Sequence, residues 1–209
     1  MTDNFALIRD YMKNLGIPET KERINDKVFE IQLLRRGKDC PDIPAANYSF
    51  KNYYIDSLEG YDRVADEIKK CCEMFRLRAY VSVNVKSKTK LQLTCLKIIS
   101  DNLCMGELKK PWKTFYRAFG TTKADEQRWV IDIDEDAINY TDGIVHIINL
   151  CQSGYSHNVI GVVPTKSGIH LITHPFNVKE YQDKFKELNA DVEIPDIKKN
   201  HITLLYENL

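Results

Sequence analysis

Asp132 and Asp134 stand two residues apart inside Arg128–Asp136, which reads RWVIDIDED. Trp129, Val130, Ile131 and Ile133 make a short apolar, β-branched run, the pattern of a buried strand. Residues two apart on a strand point to one face, so Asp132 and Asp134 project together while Ile131 and Ile133 pack the other way. Two carboxylates about 6–7 Å apart along a strand repel each other unless a cation lies between them. Hard oxygen donors of this kind suit Mg²⁺ or Mn²⁺. The competing reading is an acidic strand end that runs through Glu135 and Asp136 into a solvated turn.

A second group lies in Thr165–Phe176, TKSGIHLITHPF. Lys166, Ser167 and Gly168 read as a turn whose backbone N–H groups can face an anion, with an ammonium and a hydroxyl beside them. His170 lies on the opposite strand face from Ile169 and Leu171. If this strand pairs beside Val130–Asp134, His170 comes near the carboxylates; taken alone, His170 reads first as a hydrogen-bonded core histidine. A phosphate-holding turn and a histidine beside a two-carboxylate metal site are what nucleotidyl transfer requires, because metals stabilise the attacking and leaving oxygens while the protein positions them. Two other patterns are weaker. His174 shares a face with His170 only if Pro175 leaves the strand straight. His201 and Thr203 form a single HxT, whereas two-histidine phosphoesterases need a second such motif, and the sequence at His170 reads HLI.

The order of these motifs, hydrophobic-Asp-hydrophobic-Asp and then Ser-Gly-x-His, resembles the archaeo-eukaryotic primase superfamily, including its primase-polymerase members. The resemblance spans Arg128–Tyr206. It implies a primase-like (RRM-like) catalytic half, in which Asp132, Asp134 and a third acid bind Mg²⁺ or Mn²⁺. Ser167 and His170 then meet the triphosphate of the incoming nucleotide. Asp196, in IPDIKKNHITLLY, is the first candidate for the third acid, with Thr203–Tyr206 as the strand after it; Asp191 is the other. The implied partners are nucleoside triphosphates, a single-stranded DNA or RNA template, and a separate helicase, since the sequence holds no helicase portion. Two further functions compete: a non-catalytic nucleotide- or nucleic-acid-binding module of the same fold, and a small metal-dependent phosphoesterase.

The elements that must position these residues are legible in outline. Phe5–Leu15 has helical spacing closed by Gly16 and Pro18, and Val28–Leu34 alternates as a strand. Asp39–Asn47, with two prolines, reads as a loop. Ser57 is placed to cap a helix over Leu58–Phe75. Ala79–Val85 reads as a strand, Lys86–Lys90 as a polar turn, Leu91–Leu103 as a helix, and 105–127 as a connector anchored by Trp112, Phe115, Tyr116 and Phe119. After the acidic strand come a helix at Ile138–Leu150, strands at Asn158–Val163 and Ile169–Thr173, and a helix at Val178–Leu188. Short strands at Val192–Ile194 and Thr203–Tyr206 flank a loop, Pro195–Asn200. The expected fold is a single α+β domain, an α/β portion at 1–127 followed by a metal- and nucleotide-binding portion at 128–209. Its small mixed or antiparallel sheet would join strands 128–134, 158–163, 168–173 and 203–206, with helices covering one face.

Composition narrows the function classes. The chain has 209 residues, 30 Lys plus Arg and 30 Asp plus Glu, a balance that argues against a non-specific DNA-coating protein. Arg35, Arg36, Arg76, Arg78, Lys86, Lys88 and Lys90 either line a nucleic-acid groove with Tyr80 or form solvated surface. No apolar run approaches the length of a membrane span, and the N-terminus lacks signal-peptide character. The six cysteines form no CxxC and no metal spacing, so free thiols in a reducing cytoplasm are expected.

Overall fold

The computed structural model describes residues 1–39, 48–106, 111–187 and 192–208. In chain order these form β1 (Thr2–Asp3), α1 (Phe5–Asn14), β2 (Lys27–Arg35), β3 (Tyr48–Ile55), α2 (Leu58–Phe75), β4 (Arg78–Ser82), β5 (Lys86–Ser87), α3 (Lys88–Cys104), α4 (Pro111–Thr121), β6 (Trp129–Asp134), α5 (Thr141–Leu150), β7 (Val159–Pro164), β8 (Gly168–Thr173), α6 (Val178–Glu187), β9 (Asp196–Lys199) and β10 (Ile202–Glu207), with short 3-10 turns at Gly37–Asp39 and Glu135–Tyr140. The mixed α+β character is as expected. The strands, however, form two antiparallel sheets rather than one. The first has the order β1-β10-β4-β2-β3, with β5 on β2; the second runs β7-β8-β6-β9.

Local chemistry starts and stops the helices. Ser57 caps α2, its hydroxyl accepting from the Gly60 N–H at 3.1 Å, and Arg76 closes it in the left-handed region at φ 50°. Ser87 caps α3 in the same way, accepting from the Lys90 N–H at 3.0 Å. The Asp26 carboxylate takes the Thr89 N–H at 2.8 Å. These two caps turn Lys86–Lys90, expected as a polar turn, into the end of β5 and the start of α3. The 105–127 connector likewise holds a helix, α4, because Phe115 and Phe119 close on Tyr54 of β3, with ring centroids 4.6 and 5.4 Å away. The side chain of Trp112 falls outside the described residues, as do Cys40, Asp191 and all of the Asp39–Asn47 loop except Asp39. The five described cysteines are free thiols.

Three apolar clusters hold these layers. In the first, Ile8 and Met12 of α1 and Leu58, Tyr61 and Ile68 of α2 cover Phe29, Ile31 and Leu33 of β2. Val130, Val163 and Ile172 of the second sheet join that cluster, so the sheet face that carries Asp132 is partly buried against the first sheet. On the other face, Ile131, Ile133 and Leu171 pack under Ile144, Ile147 and Ile148 of α5 and Tyr181 and Phe185 of α6. A smaller cluster seats α3 and α4 against Val28. Burial of each such side chain contributes roughly 1.5–3 kcal/mol. No helix among the described residues is long and apolar enough to cross a membrane.

Two strand expectations are corrected. Thr203–Tyr206 does not join the sheet of Arg128–Asp134: β10 pairs with β4, with Thr203 opposite Val81, and so belongs to the N-terminal portion's sheet. Val192–Ile194 is not a strand, and the expected loop Pro195–Asn200 contains one, β9, paired along β6 with Asp196 opposite Asp132. The chain passes from one sheet to the other through Asn200 and His201, and Asn200 makes the turn at φ 52°, a backbone region asparagine tolerates better than most residues. Buried Asn4 ties the sheets at the other end of β10, its amide donating to the Pro164 carbonyl at 2.8 Å and the Leu204 carbonyl at 2.9 Å.

Candidate functional site

Strand register assembles the site. β6 lies between β8 and β9, and Asp132 is the register partner of His170 on one side and of Asp196 on the other. Asp134 lies opposite Gly168. Residues in direct antiparallel register share a face, so the first acid, the histidine and the later acid stand side by side from three remote segments. Lys166 and Ser167 form the exposed tip of the β7–β8 hairpin, which the Thr165 N–H closes onto the Gly168 carbonyl at 2.9 Å. Gly168 is required by close approach rather than by an unusual backbone angle: a Cβ there would lie 2.1 Å from the Ile133 carbonyl oxygen.

Asp132 is held from two sides. His170 Nε2 stands 3.1 Å from its Oδ1, and the Lys198 ammonium pairs with its Oδ2. The other ring nitrogen, Nδ1, lies 2.9 Å from the Thr203 hydroxyl. A neutral ring donating Nε2–H to the carboxylate accepts the hydroxyl proton at Nδ1; a protonated ring donates to both. The His170 hydrogen bond, with Lys198, holds the Asp132 carboxyl well below the ordinary carboxylate range, against desolvation that acts the other way. A depressed carboxyl contributes stability above the ordinary carboxylate pKa near 4, and loses it only as pH falls through the folded value. His201 completes the surroundings. Burial lowers its pKa, the Lys198 and His170 charges add to that, and Asp132 opposes it.

Asp132, Asp134 and Asp196 line a polar cleft of about 140 Å³ together with Asp136 and Glu193. An all-oxygen donor set of this kind fits a hard divalent cation. Among the described residues no group of three His, Cys, Asp or Glu side chains is gathered closely enough to hold a metal ion. Lys198 supplies the positive charge on Asp132 instead. The pair has an expected consequence: Lys198→Met should tighten Mn²⁺ binding in the absence of nucleotide by about 5- to 30-fold, the release of about 1–2 kcal/mol of competing pair energy. Calorimetric titration with Mn²⁺ reads this directly; unchanged affinity would remove Lys198 from any competition with metal.

Sequence spacing does not single out Glu193 or Lys198 as site residues, and brings in Thr203 only through the HxT pattern. Lys198 reaches the site because it is the register partner of Val130, on the Asp132 face, and only a strand at Asp196–Lys199 makes that visible. Thr203 reaches it from the other sheet. The remaining sequence candidate, His174, lies at the far end of β8 beyond Thr173, the partner of Trp129, and stacks on Tyr155 with ring centroids 3.6 Å apart. The two histidines have separate partners, His170 in Asp132 and Thr203 and His174 in Tyr155.

Burial, then the Arg128 charge, depresses the pKa of His174. The unfolded ring takes up a proton near pH 6.5 that the folded ring resists, so the His174 contribution to stability is complete above that pH and declines as pH falls through the folded value. Urea melts between about pH 5 and 7 should show this decline, and His174→Gln should flatten it; a variant with the wild-type slope would assign the decline elsewhere.

Comparison of the chain with protein-family models, with curated proteins and with solved structures gave no significant match.

Proposed function

We propose that this chain is a nucleotidyltransferase of the primase-polymerase type, initiating or extending a nucleic-acid strand on a single-stranded DNA or RNA template with nucleoside triphosphates and Mg²⁺ or Mn²⁺. One observation carries the reading: β6 places Asp132 between His170 and Asp196 in register, with Asp134 opposite the Gly168 hairpin. Three short motifs, each weak in sequence, thereby share one sheet face in the order that the primase resemblance implies.

To hold the divalent ion, Asp132, Asp134 and Asp196 would have to draw closer together than they stand here, with Asp136 and Glu193 in the same cleft. When bound, the ion supplies charge stabilisation for the attacking and leaving oxygens of in-line displacement at an α-phosphate, releasing pyrophosphate. The protein's part is positioning. His170 fixes the plane of the Asp132 carboxylate, and Thr203 fixes the ring. Because both ring nitrogens are engaged, His170 in this state orients the acid; its contact with a triphosphate, and those of Lys166 and Ser167 at the hairpin tip, belong to the nucleotide-bound state. A helicase supplying single strands would be a separate partner.

The Lys198–Asp132 pair favours a second reading: a non-catalytic module of the same arrangement that binds nucleotide or nucleic acid without joining it. Primer extension separates the two. A labelled primer on a single-stranded template, with ribo- or deoxyribonucleoside triphosphates and Mn²⁺ or Mg²⁺, should give longer products on a denaturing gel. Triphosphate binding without any extension would establish the binding module, and loss of both would overturn the proposal.

A further inference from the structure

β3 is an edge strand of the six-stranded sheet, and between it and α4 lies an open cleft of about 660 Å³. Its floor is aromatic: Tyr54 meets Phe115 edge-on at 4.6 Å. On its walls Tyr48, Phe50 and Tyr116 remain 55%, 38% and 50% exposed. Phe50 rests against Phe75 with ring centroids 4.9 Å apart, but Tyr48 and Tyr116 are large rings left half in solvent around one cleft, a costly arrangement for a surface with no ligand to cover them. The bulge between Leu33 and Leu34 interrupts the pairing opposite Phe50, so that ring stands outside the regular alternation of β3.

Charge narrows the choice of ligand. Among the described residues no acidic side chain lines the cleft, and Lys113 does. Arg35 is the register partner of Tyr48 and donates to the Phe75 carbonyl at 3.2 Å. Arg36 donates to the Tyr80 hydroxyl at 3.4 Å. Lys51, the other lining cation, is paired with Glu67; Arg35 and Arg36 stand outside the lining, by the Tyr48 end of β3, and among the described residues neither they nor Lys113 has a carboxylate partner. Aromatic rings beside uncompensated cations match a ligand with flat π faces joined by anions.

We propose that this cleft binds single-stranded nucleic acid. Bases stack on Tyr48 and Tyr116, and the backbone phosphates run past Lys113 toward Arg35 and Arg36. Stacking of this kind tolerates any sequence, since every base has a π face. A proline-rich peptide also suits aromatic grooves but would gain nothing from the cations. The choice of a nucleic-acid strand rests on the nucleotidyl-transfer reading, in which a template must be held. The binding itself needs neither metal nor triphosphate, and the cleft belongs to the other sheet from Asp132.

The test is fluorescence anisotropy of a labelled oligothymidylate of about 20 nucleotides, in EDTA and low salt, with folding of every variant checked by circular dichroism. The wild type should bind the strand more tightly than a duplex of equal length. Tyr48→Ala and Tyr116→Ala should each weaken binding by about 5- to 150-fold, while Tyr48→Phe and Tyr116→Phe should retain it. Lys113→Ala should lower the slope of log affinity against log salt by about 0.7. A protein carrying Asp132→Asn and Asp134→Asn should bind as the wild type does, so a failure of extension leaves this proposal standing and a failure of binding leaves the acidic site standing. No strand binding by folded wild type, equal binding by the alanine variants, or preference of the same aromatic residues for a duplex or a proline-rich peptide would overturn it.

Discussion

Asp132→Asn should lower template-dependent extension by on the order of 10³-fold, the loss of several kcal/mol of transition-state stabilisation, while leaving the fold in place. Asparagine keeps the side chain's shape and an oxygen for the His170 hydrogen bond, so the change tests charge rather than packing. It removes the negative charge that any cation in the cleft must answer. Lys198, with 32% of its side chain exposed, can turn to solvent once its partner is neutral, so stability should change little. Asp134→Asn should act in the same direction, because Asp134 shares the strand face and the cleft. Extension assays with melting curves on the same preparations check both halves of the expectation. Full extension by a folded Asp132→Asn protein would move the chemistry away from this strand.

Gly168→Ala should be the most damaging small substitution in the second sheet, destabilising by about 3 kcal/mol or more. The added methyl would lie 2.1 Å from the Ile133 carbonyl oxygen and 3.1 Å from the Asp134 Cα, both backbone atoms that no rotamer change can move. The strands would have to separate where β8 meets β6, beside Asp134 and two residues from the His170–Asp132 register pair. Both a lower urea midpoint and weaker triphosphate binding are therefore expected from one methyl group. A Gly168→Ala protein with wild-type stability would show that β6 and β8 do not approach so closely in solution. Gly161→Ala is the natural comparison, since a Cβ there would meet only Ile172 side-chain atoms at 3.7 Å and beyond.

The site owes its geometry to a strand that changes sheets. β9 supplies Asp196 and Lys198 to the second sheet, and after Asn200 the chain enters the first sheet as β10. From there Thr203 faces back to His170 at 2.9 Å. Asp132 thus sits at a seam between the sheets, braced by residues of both. Its carboxylate is partly desolvated, and each oxygen has a partner, His170 on Oδ1 and Lys198 on Oδ2, which is how a half-buried charge persists.

Much of this was legible in the chain because it rests on local chemistry. The alternation in RWVIDIDED separates Ile131 and Ile133 from Asp132 and Asp134, and the structure buries the isoleucines fully under α5 and α6. Ser57 followed by an apolar-periodic run marks α2, which spans Leu58–Phe75. The α+β character and the helices at Phe5–Asn14 and Val178–Glu187 follow from the same periodicities. Other features depended on partners far along the sequence. DIKK reads as a loop by composition and is a strand because β6 offers an open edge beside Asp132. TLLY reads as a strand, but nothing in those four residues distinguishes β4 from β6 as its partner; its pairing with β4 follows from the turn at Asn200 and the apolar cover of α1 and α2. The caps that start α3 come from Ser87 and Asp26, and the Asp26 contribution spans 63 positions. Lys198 as counter-ion and Thr203 as support for His170 belong to this second kind. Periodicity is encoded within a few residues, so the sequence alone determined the strongly periodic elements and the acidic strand face, whereas β9, the start of α3, register and sheet membership come from contacts between distant segments, and only the tertiary structure decided which residues surround Asp132.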